Sequence, residues 1–158
     1  MRGVKILRET LKITLIMVIL VMALGGAACS KKGNPSVDLG TAVVDVVNSA
    51  TELTVTAYSN NQTVTLGKSD AGFDKVITYF AKSVPEREQP RYQEVGGKQE
   101  EVPIPNTINF NLSFKLSDGS SFVFDYGYDK IWFTTKDMIY AGTVDTGMND
   151  VLQQMMKK

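Results

Sequence analysis

The side chains that most often do chemistry in proteins are scarce in this chain. Its 158 residues include one cysteine, Cys29, and no histidine. Catalytic triads that depend on histidine and metal sites ligated by histidine are therefore excluded. A single cysteine also excludes an intramolecular disulfide and a cysteine-rich zinc site. The chemistry that remains is that of one thiol and of the carboxylates.

The carboxylates do not follow the spacing of a catalytic or metal-binding motif. Asp70 and Asp74 fall at the start of a predicted helix, where acids are favoured by the helix dipole. Asp125 and Asp129 lie about 13 Å apart along a strand, whereas the two acids of a glycoside hydrolase are about 5–10 Å apart. The spacings of a calcium loop, a phosphate loop and a nucleophilic serine motif are absent from the sequence. We therefore expect no catalytic residue, no metal site and no cofactor.

The chemistry open to Cys29 depends on the segment before it. Residues 1–12 carry four basic side chains and one acid, residues 13–24 are apolar except for Thr14, and residues 25–28 are glycine and alanine. A basic start, an apolar stretch of about 7–15 residues and small residues at the end are typical of an export signal. A stable helical span needs about 20 apolar residues, so this stretch is marginal as a membrane span.

The four residues Gly26-Ala27-Ala28-Cys29 resemble the lipobox of bacterial lipoproteins, with Gly26 in the place of the usual Leu, Val or Ile. That resemblance implies that residues 1–28 are removed and that Cys29 carries diacylglycerol through a thioether. The mature protein would be anchored in the membrane by its acyl chains, at the extracytoplasmic face. Residues 29–36 would form a flexible tether. A secretory signal cut after Ala28 without lipidation and an uncleaved helical anchor are the alternatives.

Residues 37–158 must supply the fold, and their length suits one domain. Residues 37–50 combine helical spacing of apolar residues with many β-branched ones, and we favour a helix there. Residues 52–66 alternate on both sides of an Asn-rich turn, which predicts a hairpin. A second helix is predicted to begin at Ser69 or Asp70, whose side chains can accept bonds from the first free N–H groups, and to end before Pro85. Its apolar stripe is Phe73, Val76, Ile77, Phe80 and Val84.

The segment 85–105 has four prolines, two glycines and eight charged residues, so it is predicted to bury little. We interpret it as a long, mobile loop.

After residue 107 the sequence is typical of antiparallel strands. A three-residue loop, Ser117-Asp118-Gly119, would pair Phe114 with Phe122 and place both apolar sets on one face, with Gly119 in the left-handed conformation. Two more strands follow, over residues 130–135 and 138–142. A last helix is predicted after Asp145 or Thr146. The apolar positions of that helix are Met148, Val151, Leu152 and Met155.

This order of elements predicts an α+β fold, a single domain with a mainly antiparallel sheet and helices packed on one face. Over residues 50–156 the order resembles that of small uncharacterised lipoproteins of Gram-positive bacteria, such as those with a YhfM-like domain. That resemblance brings no catalytic residue with it. Phe122, Phe124 and Tyr126 are expected in the core.

Three other aromatic residues are candidates for ligand binding. Tyr128 and Trp132 fall near predicted strand ends, where a ring can expose one face, and Tyr92 lies in the long loop. Outside the export segment acids outnumber basic residues, which disfavours nucleic acid as a partner. The sequence therefore predicts a non-catalytic lipoprotein of the cell envelope that binds a protein or cell-wall partner. The alternatives are a small envelope hydrolase that uses carboxylates only and a structural accessory subunit whose 85–105 loop orders on binding.

Overall fold

The architecture is taken from a computed structural model that describes residues 37–105 and 107–157. Within these residues the chain forms three helices and nine strands. The helices are α1 (Leu39–Ser49), α2 (Ala71–Phe80) and α3 (Gly147–Met155). The strands are β1 (Ala50–Ala57), β2 (Thr63–Gly67), β3 (Val84–Pro90), β4 (Tyr92–Val95), β5 (Lys98–Glu101), β6 (Phe110–Leu116), β7 (Ser121–Gly127), β8 (Lys130–Thr134) and β9 (Met138–Thr143).

Seven of the strands form one antiparallel sheet in the order β2-β1-β6-β7-β8-β9-β3, and β4 pairs with β5 in a separate two-stranded sheet. The helices pack on one face of the large sheet, which we call the inner face. The predicted α+β class, with an antiparallel sheet and helices on one face, is confirmed. The predicted helix over residues 37–50 and the predicted hairpin over residues 52–66 are confirmed as α1 and as β1–β2.

The core lies between the inner face and the three helices, and aromatic rings fill its centre. The ring of Phe80 on α2 lies 4.9 Å from that of Phe114 and 4.7 Å from that of Phe124, measured between centroids. Phe124 also packs on Phe133, at 5.2 Å. The predicted burial of Phe122, Phe124 and Tyr126 is confirmed. Edge-to-face and offset pairs of this kind are the arrangements that aromatic quadrupoles favour.

The predicted register of the β6–β7 hairpin is confirmed. Phe114 lies opposite Phe122, and Phe110 lies opposite Tyr126. The N–H of Gly119 donates to the Leu116 carbonyl, and Gly119 has a φ of +85°, which a glycine adopts without strain. Because side chains alternate along a strand, this register places the aromatic and leucine side chains of both strands on the inner face and leaves Val123 on the outer face.

The expectation of a long loop over residues 85–105 is wrong. Residues Val84–Pro90 form the edge strand β3, which pairs with β9, and residues 92–101 form the β4–β5 hairpin. Prolines and charges are typical of edge strands, because an edge strand buries few side chains and must not attract a further strand. Gly96 and Gly97 both have positive φ, as a tight two-residue hairpin turn requires.

The second helix is shorter than predicted. It ends at Phe80, and Val84, expected on its apolar stripe, begins β3 with 57% of its surface exposed. Val84 instead lies opposite Thr143 of β9, as the first residue of the edge strand. The expected capping by Asp70 is also wrong in detail, since its Oδ2 accepts from the N–H of Gly67, at 2.8 Å, instead of from the helix.

The last helix follows its prediction more closely. Asp145 Oδ1 accepts from the N–H of Gly147 at the start of α3, at 2.7 Å, and Met148 and Leu152 are buried. Of the helices among residues 37–105 and 107–157, none is both long and apolar enough to cross a bilayer. The predicted signal over residues 1–28, the lipidation of Cys29 and the tether over residues 29–36 lie outside the described residues.

Candidate functional site

The three aromatic residues predicted as ligand contacts lie in different surroundings. Tyr92 is on β4 and is 43% exposed, Tyr128 is in the turn between β7 and β8 and is 61% exposed, and Trp132 is in the middle of β8 and is 7% exposed. Trp132 lines a cavity of about 280 Å³, and neither tyrosine lines that cavity. The three residues therefore do not share one described cavity, and their role in binding stays a prediction.

Trp132 packs on the outer face of the sheet, opposite the helices. The segment 102–105 and the side chains of Arg87, Gln89 and Ile139 line the cavity with it. The chain beyond this segment runs close to the sheet, since a Cβ on Gly127 would lie 2.2 Å from the carbonyl oxygen of Thr107. A covering segment explains why an aromatic residue on the outer face is buried.

Tyr128 is presented to solvent by an unusual backbone. Its φ is +52°, which is uncommon for a bulky residue and costs conformational energy. The hydroxyl of the buried Tyr126 donates to the carbonyl of Tyr128 and so holds the turn in place. Burial, and then the charges of Asp129 and Asp150, raise the pKa of Tyr126, so that its hydroxyl stays a neutral donor.

The β4–β5 hairpin, residues 92–101, forms an arm. Each of its strand residues is exposed, so the arm has no buried face. Its base is held by Arg91, whose Nε donates to Glu101 Oε1 at 2.8 Å and whose Nη1 donates to the Thr135 carbonyl at 3.2 Å. The N–H of Arg91 donates to the carbonyl of Asp137 at 2.8 Å. Arg91 therefore joins both ends of the arm to the β8–β9 turn.

The arm offers an aromatic and acidic surface. The Arg91 guanidinium lies 5.4 Å from the centre of the Tyr92 ring, within the range of a cation–π contact. The hydrogen bond to Glu101 raises the pKa of Arg91. Three glutamates and one lysine lie within residues 92–101, which makes the arm acidic. Sequence reasoning missed the arm, although the Gly96-Gly97 pair between two polar stretches was a signal for it.

Three carboxylates line a cleft of about 310 Å³ between the start of α1 and β3, those of Asp38, Glu86 and Glu88, together with Arg87 and Tyr140. Asp38 caps α1 by accepting from the N–H of Thr41 at 2.7 Å, and this bond lowers the pKa of Asp38. Glu86 forms an ion pair with Lys130. Burial, followed by the charges of Glu88 and Asp38, raises the pKa of Tyr140.

The acids that the sequence placed on the second aromatic strand are not paired with each other. Asp125 Oδ1 accepts from the Tyr58 hydroxyl and from Asn111 Nδ2, both at 3.0 Å. Asp129 lies in the β7–β8 turn, where its N–H donates to the Gly127 carbonyl. Across the ranges that the structure describes, no group of three or more acids, histidines or cysteines could hold a metal ion.

Comparison of the chain with protein-family models, with curated proteins and with solved structures found no match.

Proposed function

We propose that the chain is a non-catalytic lipoprotein of the bacterial cell envelope and that its domain binds a protein partner through the arm. The observation that carries the binding role is the arm itself, a hairpin exposed on every strand residue and fixed at its base by Arg91. The envelope location follows from the lipobox-like residues 26–29 and the basic and apolar segment before them.

The energetics of the arm favour a partner. A two-stranded hairpin without a hydrophobic face is at best marginally stable in water. The arm also exposes Tyr92, a residue type that often dominates the binding energy of protein interfaces. Its excess of glutamate would be complemented by a basic patch, which would steer the two surfaces together. The partner is therefore expected to present basic residues beside an apolar pocket for Tyr92.

Site-specific photo-crosslinking tests this role. A photoreactive residue replaces Gln99 in the arm of the full chain, and a matched variant carries it at Val123, which is exposed on the outer face of the large sheet. We expect one defined protein adduct from position 99 and none from position 123. Adding Glu94→Lys should weaken that adduct, because the new lysine would be repelled by a basic patch on the partner. The same adducts from both positions, or none from position 99, would contradict binding through the arm.

The anchor is tested separately by the mass of the protein in its own membranes. Lipidation predicts a chain that begins at Cys29 and carries added acyl mass. The variant Cys29→Ser lacks the sulfur that forms the thioether and should be released from the membrane. A full-length, unmodified chain in the soluble fraction would refute the anchor and leave the arm result unaffected.

One observation favours an alternative function, an envelope hydrolase that uses carboxylates only. The α1–β3 cleft brings three carboxylates to one place, with Tyr140 beside them. Glu88 is the acid in this cleft that has neither the capping role of Asp38 nor the ion pair of Glu86. Hydrolysis of a cell-wall glycan by the full chain, lost on Glu88→Gln and kept on Glu94→Gln, would establish this alternative.

A further inference from the structure

A second candidate site lies at the ends of β1 and β6. In the strand order of the large sheet these strands are remote from β3, the strand that precedes the arm. The site is a cavity of about 440 Å³ between the β1–β2 turn, the start of β6 and the end of α3. We propose that this cavity binds a neutral saccharide. The proposal uses none of the arm residues, so it goes beyond the proposed function and can fail or succeed without it.

The lining of the cavity combines one exposed aromatic ring with several amides. Tyr58 lies at its rim, and Asn60, Gln62, Asn109 and Gln153 contribute amide groups. A side-chain amide carries both hydrogen-bond donors and an acceptor, which matches a sugar hydroxyl that also does both. Ile108 and Met156, both partly exposed, supply apolar surface. Pockets of about 300–1,000 Å³ with a few convergent polar groups are typical of small-molecule sites.

The charge of the lining selects the class of ligand. Lys157 is the one charged side chain that lines this cavity, and no carboxylate lines it. A cation would therefore find no counter-charge, and a ligand with several negative charges would find one lysine at the exposed end of the chain. A polyhydroxylated, uncharged ligand leaves no buried charge unpaired.

Tyr58 is held in place as a stacking platform. Its ring is 52% exposed, and its hydroxyl donates to Asp125 Oδ1, which also accepts from Asn111. Since Tyr58 follows β1 and Asp125 lies on β7, the side chain crosses β6 to make this bond. Burial and the charge of Asp125 raise the pKa of Tyr58 and keep the hydroxyl protonated. A ring fixed at both ends loses little freedom when a sugar stacks on it.

The amides are also positioned before any ligand arrives. The N–H of Gln62 donates to Asn60 Oδ1 at 3.0 Å, and Asn60 Nδ2 lies 3.4 Å from Gln62 Oε1. Between them, Asn61 takes a φ of +56°, a conformation that asparagine tolerates better than most residues. The turn therefore holds two residues that line the cavity in fixed positions relative to each other.

Saturation-transfer NMR on the full-length chain tests the proposal, with a tetramer of N-acetylglucosamine as the probe. We expect transfer to the ring protons of the probe. Tyr58→Ala should weaken binding by about fivefold to tenfold, as loss of one aromatic contact does. Gln62→Ala removes one amide from the rim and should also weaken binding. Val44→Ala removes an exposed apolar side chain of α1 outside the cavity and should leave binding unchanged.

Several outcomes would overturn the proposal. One is no transfer to the tetramer, and another is equal transfer with the Tyr58→Ala and Gln62→Ala variants. Transfer to a short basic or acidic peptide in place of the sugar would also overturn it. Circular dichroism of each variant distinguishes loss of the site from loss of the fold, and Gln62→Ala keeps the test decisive if Tyr58→Ala unfolds. Neither result depends on the arm, so the crosslinking experiment is judged separately.

Discussion

The molecule contains two antiparallel hairpins that are specified by different physical effects. The β6–β7 hairpin and the arm are both antiparallel, and both turn through glycine with positive φ. The first buries alternate residues against the helices, and the second exposes every strand residue. The comparison teaches that burial specifies one hairpin, whereas a turn and a fixed base specify the other.

Register has a different cause in each hairpin. A slip of β7 by one residue against β6 would turn Phe122, Phe124 and Tyr126 to the outer face, so burial opposes the slip strongly. The arm has no apolar face to protect. Its register depends on the Gly96-Gly97 turn and on Arg91, which pairs with Glu101 at the opposite end.

The largest difference between the hairpins should be in the free energy of unfolding that is lost when one aromatic ring is removed from each. Phe124→Ala leaves a cavity among Phe80, Phe114 and Phe133 and should lower the free energy of unfolding by about 3–5 kcal/mol. Tyr92→Ala removes an exposed ring and should change it by less than about 0.5 kcal/mol. Denaturant unfolding of both variants measures the two values. Similar losses would show that the arm contributes to the core.

The two glycine turns provide the next comparison. Gly119→Ala and Gly97→Ala both force a side chain into the left-handed region, at about 1–2 kcal/mol each, and neither new Cβ meets a neighbouring atom. The cost at Gly119 should appear in global unfolding, because β6–β7 is central to the sheet. The cost at Gly97 should appear as faster amide exchange within residues 92–101 and leave the melting temperature unchanged. A lower melting temperature for Gly97→Ala would contradict this separation.

The stability that Asp38 contributes as the N-cap of α1 should depend on pH. The hydrogen bond from Thr41 lowers the pKa of Asp38, so its contribution is present above the ordinary carboxyl pKa of about 4 and is lost as the pH falls below it. Asp38→Ala should cost about 1 kcal/mol at neutral pH. The difference between the variant and the wild type should shrink as the pH falls toward 2 in denaturant titrations. A constant difference across this range would show that the carboxylate charge is unimportant.

The smallest global effect is expected at the base of the arm. The Arg91–Glu101 pair is partly exposed, and such pairs contribute about 0.2–1 kcal/mol and weaken with salt. Arg91→Ala should leave global unfolding nearly unchanged and speed protease cutting within residues 92–101. Lys98→Ala, which removes a cation from the same arm without a base contact, is the control. Equal cutting of both variants would mean that Arg91 does not hold the arm.

The sequence predicted the centre of the sheet and its β2 edge well and its β3 edge poorly. The alternation of apolar and polar residues in β6 and β7 predicts which face each side chain lies on and which residues pair, because buried and exposed positions alternate along both strands. The residues of β3 carry no such signal, since an edge strand can be exposed on both faces and still be paired. The sequence did not predict the Trp132 cavity either, because the residues that line it come from four separate parts of the chain, β3, β8, β9 and the segment 102–105.

The sequence by itself determined the α+β class, the register of the aromatic hairpin and, except for Val84, the apolar stripes of the helices, all of which follow from the spacing of apolar side chains. The tertiary structure alone decided that residues 84–101 form a strand and an arm. It alone placed Tyr58 and Gln153, 95 positions apart in the chain, around one cavity. The physical reason is that backbone hydrogen bonds to a distant strand, and the meeting of turns at one end of a sheet, are not encoded in local hydrophobic periodicity.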